Sequence, residues 1–153
     1  LSKSYGLSCD LEFMPWTAVK NLTQAQTIVE QAGQPNAAVL IDSLHFDRSD
    51  STLEQVKALP ASRMNYVQLC DGFADYDQSD EGLIKIARNN RLVPGQGDID
   101  LVALIAALPK NITLAAEVPN LELAKLPALE RARINLQAIK ALVALANAEA
   151  VAG

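Results

Sequence analysis

The chain has 153 residues, half of them apolar and a fifth charged, enough for one sizeable core and too apolar for a disordered polymer. With 13 basic against 18 acidic side chains the net charge is −5, and no Lys/Arg cluster overrides it, which disfavours nucleic acid as a partner. No apolar run approaches the ~18 residues of a membrane span, and Leu1–Gly6 lacks the uninterrupted apolar stretch of a secretion signal.

The first predicted strand is Tyr5–Phe13, broken by Met14-Pro15-Trp16. A helix follows from a cap near Thr23 to Gly33, a residue type that suits the left-handed position after a helix. The second strand, Ala37–Phe46, opens with a continuous apolar stretch to Ile41, as expected of a strand covered on both faces. Ser51-Thr52-Leu53-Glu54 has capping-box spacing and announces a short helix that stops by Pro60. The third strand is Asn65–Cys70, followed by a polar loop and a helix over Ser79–Asn90. Leu92–Gly97 forms another loop, and a helix over Asp98–Leu108 is capped by Asp98 or Asp100. The fourth strand is Ile112–Val118, closed by Pro119, and an Ala- and Leu-rich helix runs over Ala128–Ala148. Strand and helix alternate four times in one domain, which calls for βα units in a parallel sheet.

Cys9 and Cys70 each sit in a short apolar run and read as buried thiols rather than a disulfide. Asn21-Leu22-Thr23 and Asn111-Ile112-Thr113 match a glycosylation acceptor pattern that recurs by chance, and without a secretion signal the cytoplasm is the expected compartment.

The polar residues carry the functional signal. Each apolar strand run has an oxygen donor near its C-terminal end: Glu12, Asp42, Gln68 and Glu117. Strand C-termini converge in parallel α/β folds, and the site lies there. One such carboxylate can be a loop-entry residue or a helix cap; three beside a carboxamide repel unless a cation lies between them. Mg²⁺ or Mn²⁺ fits an all-oxygen set better than Zn²⁺. His45, the one histidine, follows Asp42 by three residues near the strand end and is placed to bind substrate or shuttle a proton, unless it is a hydrogen-bonded loop residue. Arg88 or Arg91 could hold a substrate oxygen, although surface arginines are the commoner case. Trp16 and Phe13 could wall the substrate or cap the rim of the sheet. Pro94-Gly95-Gln96-Gly97-Asp98 is either an anion cradle or a tight turn. There is no Walker loop, nucleophile elbow, Cys-x-x-Cys or His-Glu-x-x-His, and a triad needing a second histidine is impossible.

Taken in order, Leu11-Glu12-Phe13-Met14-Pro15-Trp16, Ile41-Asp42-Ser43-Leu44-His45-Phe46, Val67-Gln68-Leu69-Cys70-Asp71-Gly72, Arg91 with Pro94–Asp98, and Glu117-Val118-Pro119 resemble the C-terminal half of the xylose-isomerase-like TIM barrels, the sugar phosphate isomerase/epimerase group. The resemblance implies a (β/α)8 architecture of which residues 1–153 supply four βα units. A full barrel takes roughly 250 residues and eight units, and the chain does not begin with Met, so it reads as a half-barrel fragment. It further implies a metal held by Glu12, Asp42, Gln68 and Glu117, a substrate held by His45 and Arg91 (or Arg88), and Glu12 and Glu117 as an acid/base pair. The implied reaction is proton transfer next to a carbonyl through a metal-stabilised enediolate of a small sugar-like substrate. Gln68 stands where the epimerases usually have histidine and is similar to the 3-dehydroshikimate dehydratases of the same superfamily; Gln96 stands where an acid is common. A dehydratase-type lyase is therefore the alternative enzyme, and a non-catalytic half-barrel that associates into a homo-oligomer is the alternative of another class.

Overall fold

The computed structural model describes residues 1–152, with side chains described to residue 149. Four strands form one sheet: β1 (Cys9–Glu12), β2 (Ala37–Asp42), β3 (Tyr66–Leu69) and β4 (Thr113–Ala116). They lie side by side in chain order, every pair parallel. The helices are α1 (Leu22–Ala32), α2 (Ser43–Asp47), α3 (Leu53–Ala58), α4 (Asp80–Asn89), α5 (Leu101–Ala107) and α6 (Ala128–Ala152).

The strands are shorter than the apolar runs that mark them. Residues 2–5 form a 3₁₀ turn, so β1 begins at Cys9 rather than Tyr5. β2 stops at Asp42 rather than Phe46, because the Asp42 carboxylate caps α2 through the Leu44 and His45 amides. His45 thus sits in the first turn of a helix and not on a strand. Asn21, not Thr23, caps α1 by accepting from the Gln24 amide, and Thr23 lies inside the helix. The capping box before α3 is one residue later than Ser51: Thr52 and Gln55 exchange side-chain and backbone hydrogen bonds. Asp100 caps α5. Gly33 ends α1 with φ of 59°, the left-handed geometry that glycine tolerates best.

Strand alternation sorts the side chains into two faces. Val39, Ile41, Val67 and Leu69 are fully buried, in one cluster with Leu22, Ala25 and Val29 of α1, Val56 of α3 and Leu104 of α5. Ile139 and Leu142 of α6 extend that cluster. The register pairs Glu12 with Leu40, Asp42 with Gln68 and Gln68 with Ala115. Glu12, Asp42 and Gln68 therefore share the opposite face, at the C-terminal ends of their strands. Glu117 follows Ala115 by two residues, one position beyond β4, and its amide still donates to the Leu69 carbonyl at 3.1 Å. Cys9 and Cys70 are both free thiols; Cys70 is buried, but Cys9 is exposed, because β1 lies at the edge of the sheet. Among the described residues no helix is long and apolar enough to cross a membrane.

Candidate metal centre

Asp42 is the centre of the cluster and is fully buried. Its Oδ1 accepts from the amides of Leu44 at 2.9 Å and His45 at 3.2 Å. Its Oδ2 accepts from Arg91 Nη1 at 2.5 Å. The same Nη1 lies 3.2 Å from Glu117 Oε2, so one guanidinium spans two carboxylates. Arg91 is 4 % exposed; its Nε donates to the Ala87 carbonyl at 2.8 Å, fixing the plane of the group.

His45 Nε2 lies 3.6 Å from Glu12 Oε1 and 3.4 Å from Arg91 Nη2. The Trp16 ring stands edge-on to the imidazole at 5.0 Å between centroids. Burial, with Arg91 adding to it and Asp42 opposing, lowers the His45 pKa to about 4, so the ring is neutral at physiological pH. Burial likewise raises the Glu12 pKa to about 7, with Asp42 and Glu117 adding to it and Arg91 opposing. Glu117 is raised as well, chiefly by burial. The Cys70 thiol is pushed up to about 12 by burial and by Asp42, and remains protonated beside Arg91 Nη1.

A divalent cation fits this set on three grounds. With Glu12, Asp42 and Glu117 all ionised, three carboxylates face one guanidinium and the cluster is two charges short of neutrality. One donor atom each from Glu12, Asp42 and His45 lies within 4.8 Å of the others. Gln68 Oε1, on the same face and paired in register with Asp42, is buried without a hydrogen-bond donor. An amide oxygen orphaned beside excess negative charge is the arrangement a cation relieves.

The structure thus brings together Glu12, Asp42, Gln68, Glu117, His45, Arg91 and Trp16. Arg88 is exposed on α4 and has no hydrogen bond or ion pair to these residues, so of the two arginines the cluster contains Arg91. Asp42 combines both readings open to a strand-end carboxylate, since it caps a helix with one oxygen and faces the cluster with the other. The Pro94–Asp98 loop has a structural duty: the Gly95 amide donates at 2.9 Å to Asp71 Oδ2, and Gly95 takes a φ of 86°. Ser43 and Cys70 were invisible as site residues. The Ser43 hydroxyl donates to the Cys70 carbonyl at 2.8 Å and accepts from its amide at 2.9 Å, tying the end of β2 to that of β3. Only their places beside Asp42 and Gln68 hinted at this.

Comparison with known proteins agrees with this architecture. The family model of the xylose isomerase-like TIM barrel matches residues 1–142. An inosose isomerase of Bacillus velezensis is 29% identical over 148 residues, which are 94% of this chain and 51% of that protein. A 3-dehydroshikimate dehydratase of Pseudomonas aeruginosa is 29% identical over 102 residues, 66% of this chain and 16% of that protein. Among solved structures, the IolI protein with a bound zinc atom superposes with a TM-score of 0.81 at 25% identity, over 93% of this chain and 51% of that one. The chain spans about half the length of the inosose isomerase and of the IolI chain. Four parallel βα units with their polar cluster at the strand C-termini, matched over residues 1–142, make the chain a member of the xylose isomerase-like TIM barrel family.

Proposed function

We propose that this chain is the C-terminal, ligand-bearing half of a divalent-metal-dependent isomerase or epimerase acting on a small polyhydroxy carbonyl compound. The observation that carries the reading is the convergence of Glu12, Asp42, Gln68 and Glu117, with one arginine among three carboxylates. Relatives named inosose isomerase make a cyclic polyhydroxy ketone the first substrate to test. Glu12, Asp42, Gln68 and Glu117 would hold the ion, and His45 Nε2 is close enough to join them. A nitrogen donor at that distance admits Zn²⁺ beside Mg²⁺ and Mn²⁺. When bound, the ion would stabilise the negative charge that grows on substrate oxygens as a C–H bond next to a carbonyl ionises.

The chain's own groups divide the remaining work. Glu12, whose burial sets its carboxyl near neutrality, can take and return a proton at Oε1 within the working range of pH. Glu117 is suited to the opposite side of the same exchange. Neutral His45 can donate or accept a hydrogen bond to a substrate oxygen without adding a charge. Arg91 presents a fixed guanidinium to another oxygen, and Trp16 excludes water from one side. We place the protein in the cytoplasm, in keeping with its two free thiols.

The test is titration of the 153-residue chain with Zn²⁺ and Mn²⁺, followed by deuterium exchange into an inosose in D₂O. Glu117→Gln is expected to weaken ion binding at least about 10-fold and to stop the exchange. Unchanged ion affinity and melting temperature in that variant would remove the shared site. Gln68 and the dehydratase relatives favour one second reading, elimination of water from a cyclic hydroxyketone. Incubation with 3-dehydroshikimate separates the two: an aromatic product supports the lyase, and deuterium exchange into the inosose without that product supports the isomerase.

A further inference from the structure

Arg91 does not belong to a strand or a helix, yet its guanidinium is buried and held by the Ala87 carbonyl, Asp42 and Glu117. It lies in a short segment that runs between the ends of β3 and β4. Leu92 bridges antiparallel to Asp71, and Asn90 to Asn120. The Asp71 amide donates to the Leu92 carbonyl and the Leu92 amide to the Asp71 carbonyl, both at 2.9 Å. The Arg91 amide donates to the Pro119 carbonyl at 3.1 Å, and its carbonyl accepts from Asn120 Nδ2 at 2.9 Å. Both backbone polar groups of Arg91 are thus held from the β4 side, and those of its neighbour from the β3 side.

Asp71 anchors the β3 side with more than its backbone. Asp71 is 1 % exposed, and no basic side chain forms an ion pair with it among the described residues. Three amides meet the charge instead: Gly72 at 2.8 Å, Gly95 at 2.9 Å and Ile99 at 3.1 Å. A Cβ at Gly97 would fall 2.5 Å from Asp71 Oδ1 and 2.6 Å from the Gly72 carbonyl oxygen, so the 95–99 loop is wrapped directly on this carboxylate. A buried carboxyl group held by backbone amides alone is an expensive way to close a loop. What it achieves is rigidity over residues 92–99, immediately after the arginine that has to stand between Asp42 and Glu117.

We propose that Asp71, with Asn120 on the opposite flank, is a positioning residue that aims the Arg91 guanidinium at Asp42 and Glu117. The aiming is independent of the proposed reaction; its consequence for substrate rests on that reading. Asp71→Asn keeps the shape but sets an NH₂ group against amides that need an acceptor. Asn120→Ala removes the donor to the Arg91 carbonyl.

The direct readout is the Arg91 Nε–H resonance of the ¹⁵N-labelled full chain, assigned by its absence in Arg91→Lys. This proton is buried and donated to Ala87, so in the wild type it exchanges slowly with water. In Asp71→Asn its exchange is expected to speed up at least about 10-fold while the amides of Val39, Ile41 and Val67 keep their protection. Unchanged Arg91 exchange, or equal loss of protection throughout the core, overturns the proposal. If Asp71→Asn does not fold, Asn120→Ala, at a partly buried position, decides by the same criterion. On an inosose, Asp71→Asn is expected to raise KM about 10-fold, more than it lowers kcat, with little further effect in an Arg91→Gln background. Arg91 exchange that responds in a protein without isomerase activity leaves the positioning role standing and removes the proposed function; activity with unresponsive Arg91 exchange does the reverse.

Discussion

Glu12 and His45 are 3.6 Å apart and displaced in opposite directions, Glu12 up to about 7 and His45 down to about 4. The signs of their contributions to stability differ accordingly. Glu12 starts from 4.5, so its contribution is complete below that value and is lost as pH rises through about 7. His45 starts from 6.5, so its contribution is complete above that value and is lost as pH falls through about 4. Between 4.5 and 6.5 the two slopes oppose each other, and from these two groups the metal-free chain should have a flat maximum there. Above 6.5 only the fall from Glu12 remains. A bound divalent cation favours the ionised carboxylate, so Zn²⁺ should abolish that alkaline fall and bind more weakly below pH 7, where Glu12 must first release a proton. Thermal melts from pH 5 to 8 with and without the ion check this. An alkaline fall that persists at saturating Zn²⁺ would take Glu12 out of the ion's coordination sphere.

At the scale of elements, Asp42 joins a strand, a helix and the cluster. Asp42→Asn retains an oxygen to cap α2 but leaves the Arg91 guanidinium without its buried counter-charge. That loss should cost about 3–5 kcal/mol. Asp42→Ala removes the cap too, adding about 1 kcal/mol. By contrast Thr52→Ala, at the exposed capping box of α3, should cost only about 1 kcal/mol. Chemical denaturation of the three variants measures the order, and Asp42→Asn no more costly than Thr52→Ala would show that the Arg91 pair is not a supporting contact. Asp42 also shows what a sequence can carry. Apolar runs located all four strands, and capping chemistry located α3 and α5, because both are local. Where β2 ends was illegible for the same reason: Leu44 and Phe46 continue the alternation of a strand, and only the tertiary placement of Asp42 at the rim makes capping win. The convergence of Glu12, Asp42, Gln68 and Glu117 was legible because parallel strands force equivalent positions together. The choice of Arg91 over Arg88 was not, since it depends on Asp71 and Asn120, residues distant in sequence from both.

At the scale of the whole molecule, the order β1-β2-β3-β4 pairs β1 and β4 on one side only. The polar face of the sheet is unevenly covered: Asp42 is buried, Glu12, Tyr66, Gln68 and Glu117 are half-buried, and Thr113 is exposed. Free strand edges are templates for another strand, and closing a sheet into a barrel is the arrangement that removes them. Two copies of this chain would together supply eight βα units, the number in one barrel, and such an assembly would satisfy both edges of each copy. We therefore expect the 153-residue chain to sediment as a dimer at concentrations of tens of micromolar, and its melting temperature to rise with concentration. Thr113→Lys places a charge at the start of β4, on its open edge, and should shift the population toward monomer without disturbing Val39, Ile41 or Val67 in the core. Because Thr113 lies at the opposite end of the strand from Glu117, loss of the dimer should leave the Arg91 Nε–H as protected as in the wild type. A monomer at every concentration, with a melting temperature independent of it, would show that four βα units and their helices are sufficient alone.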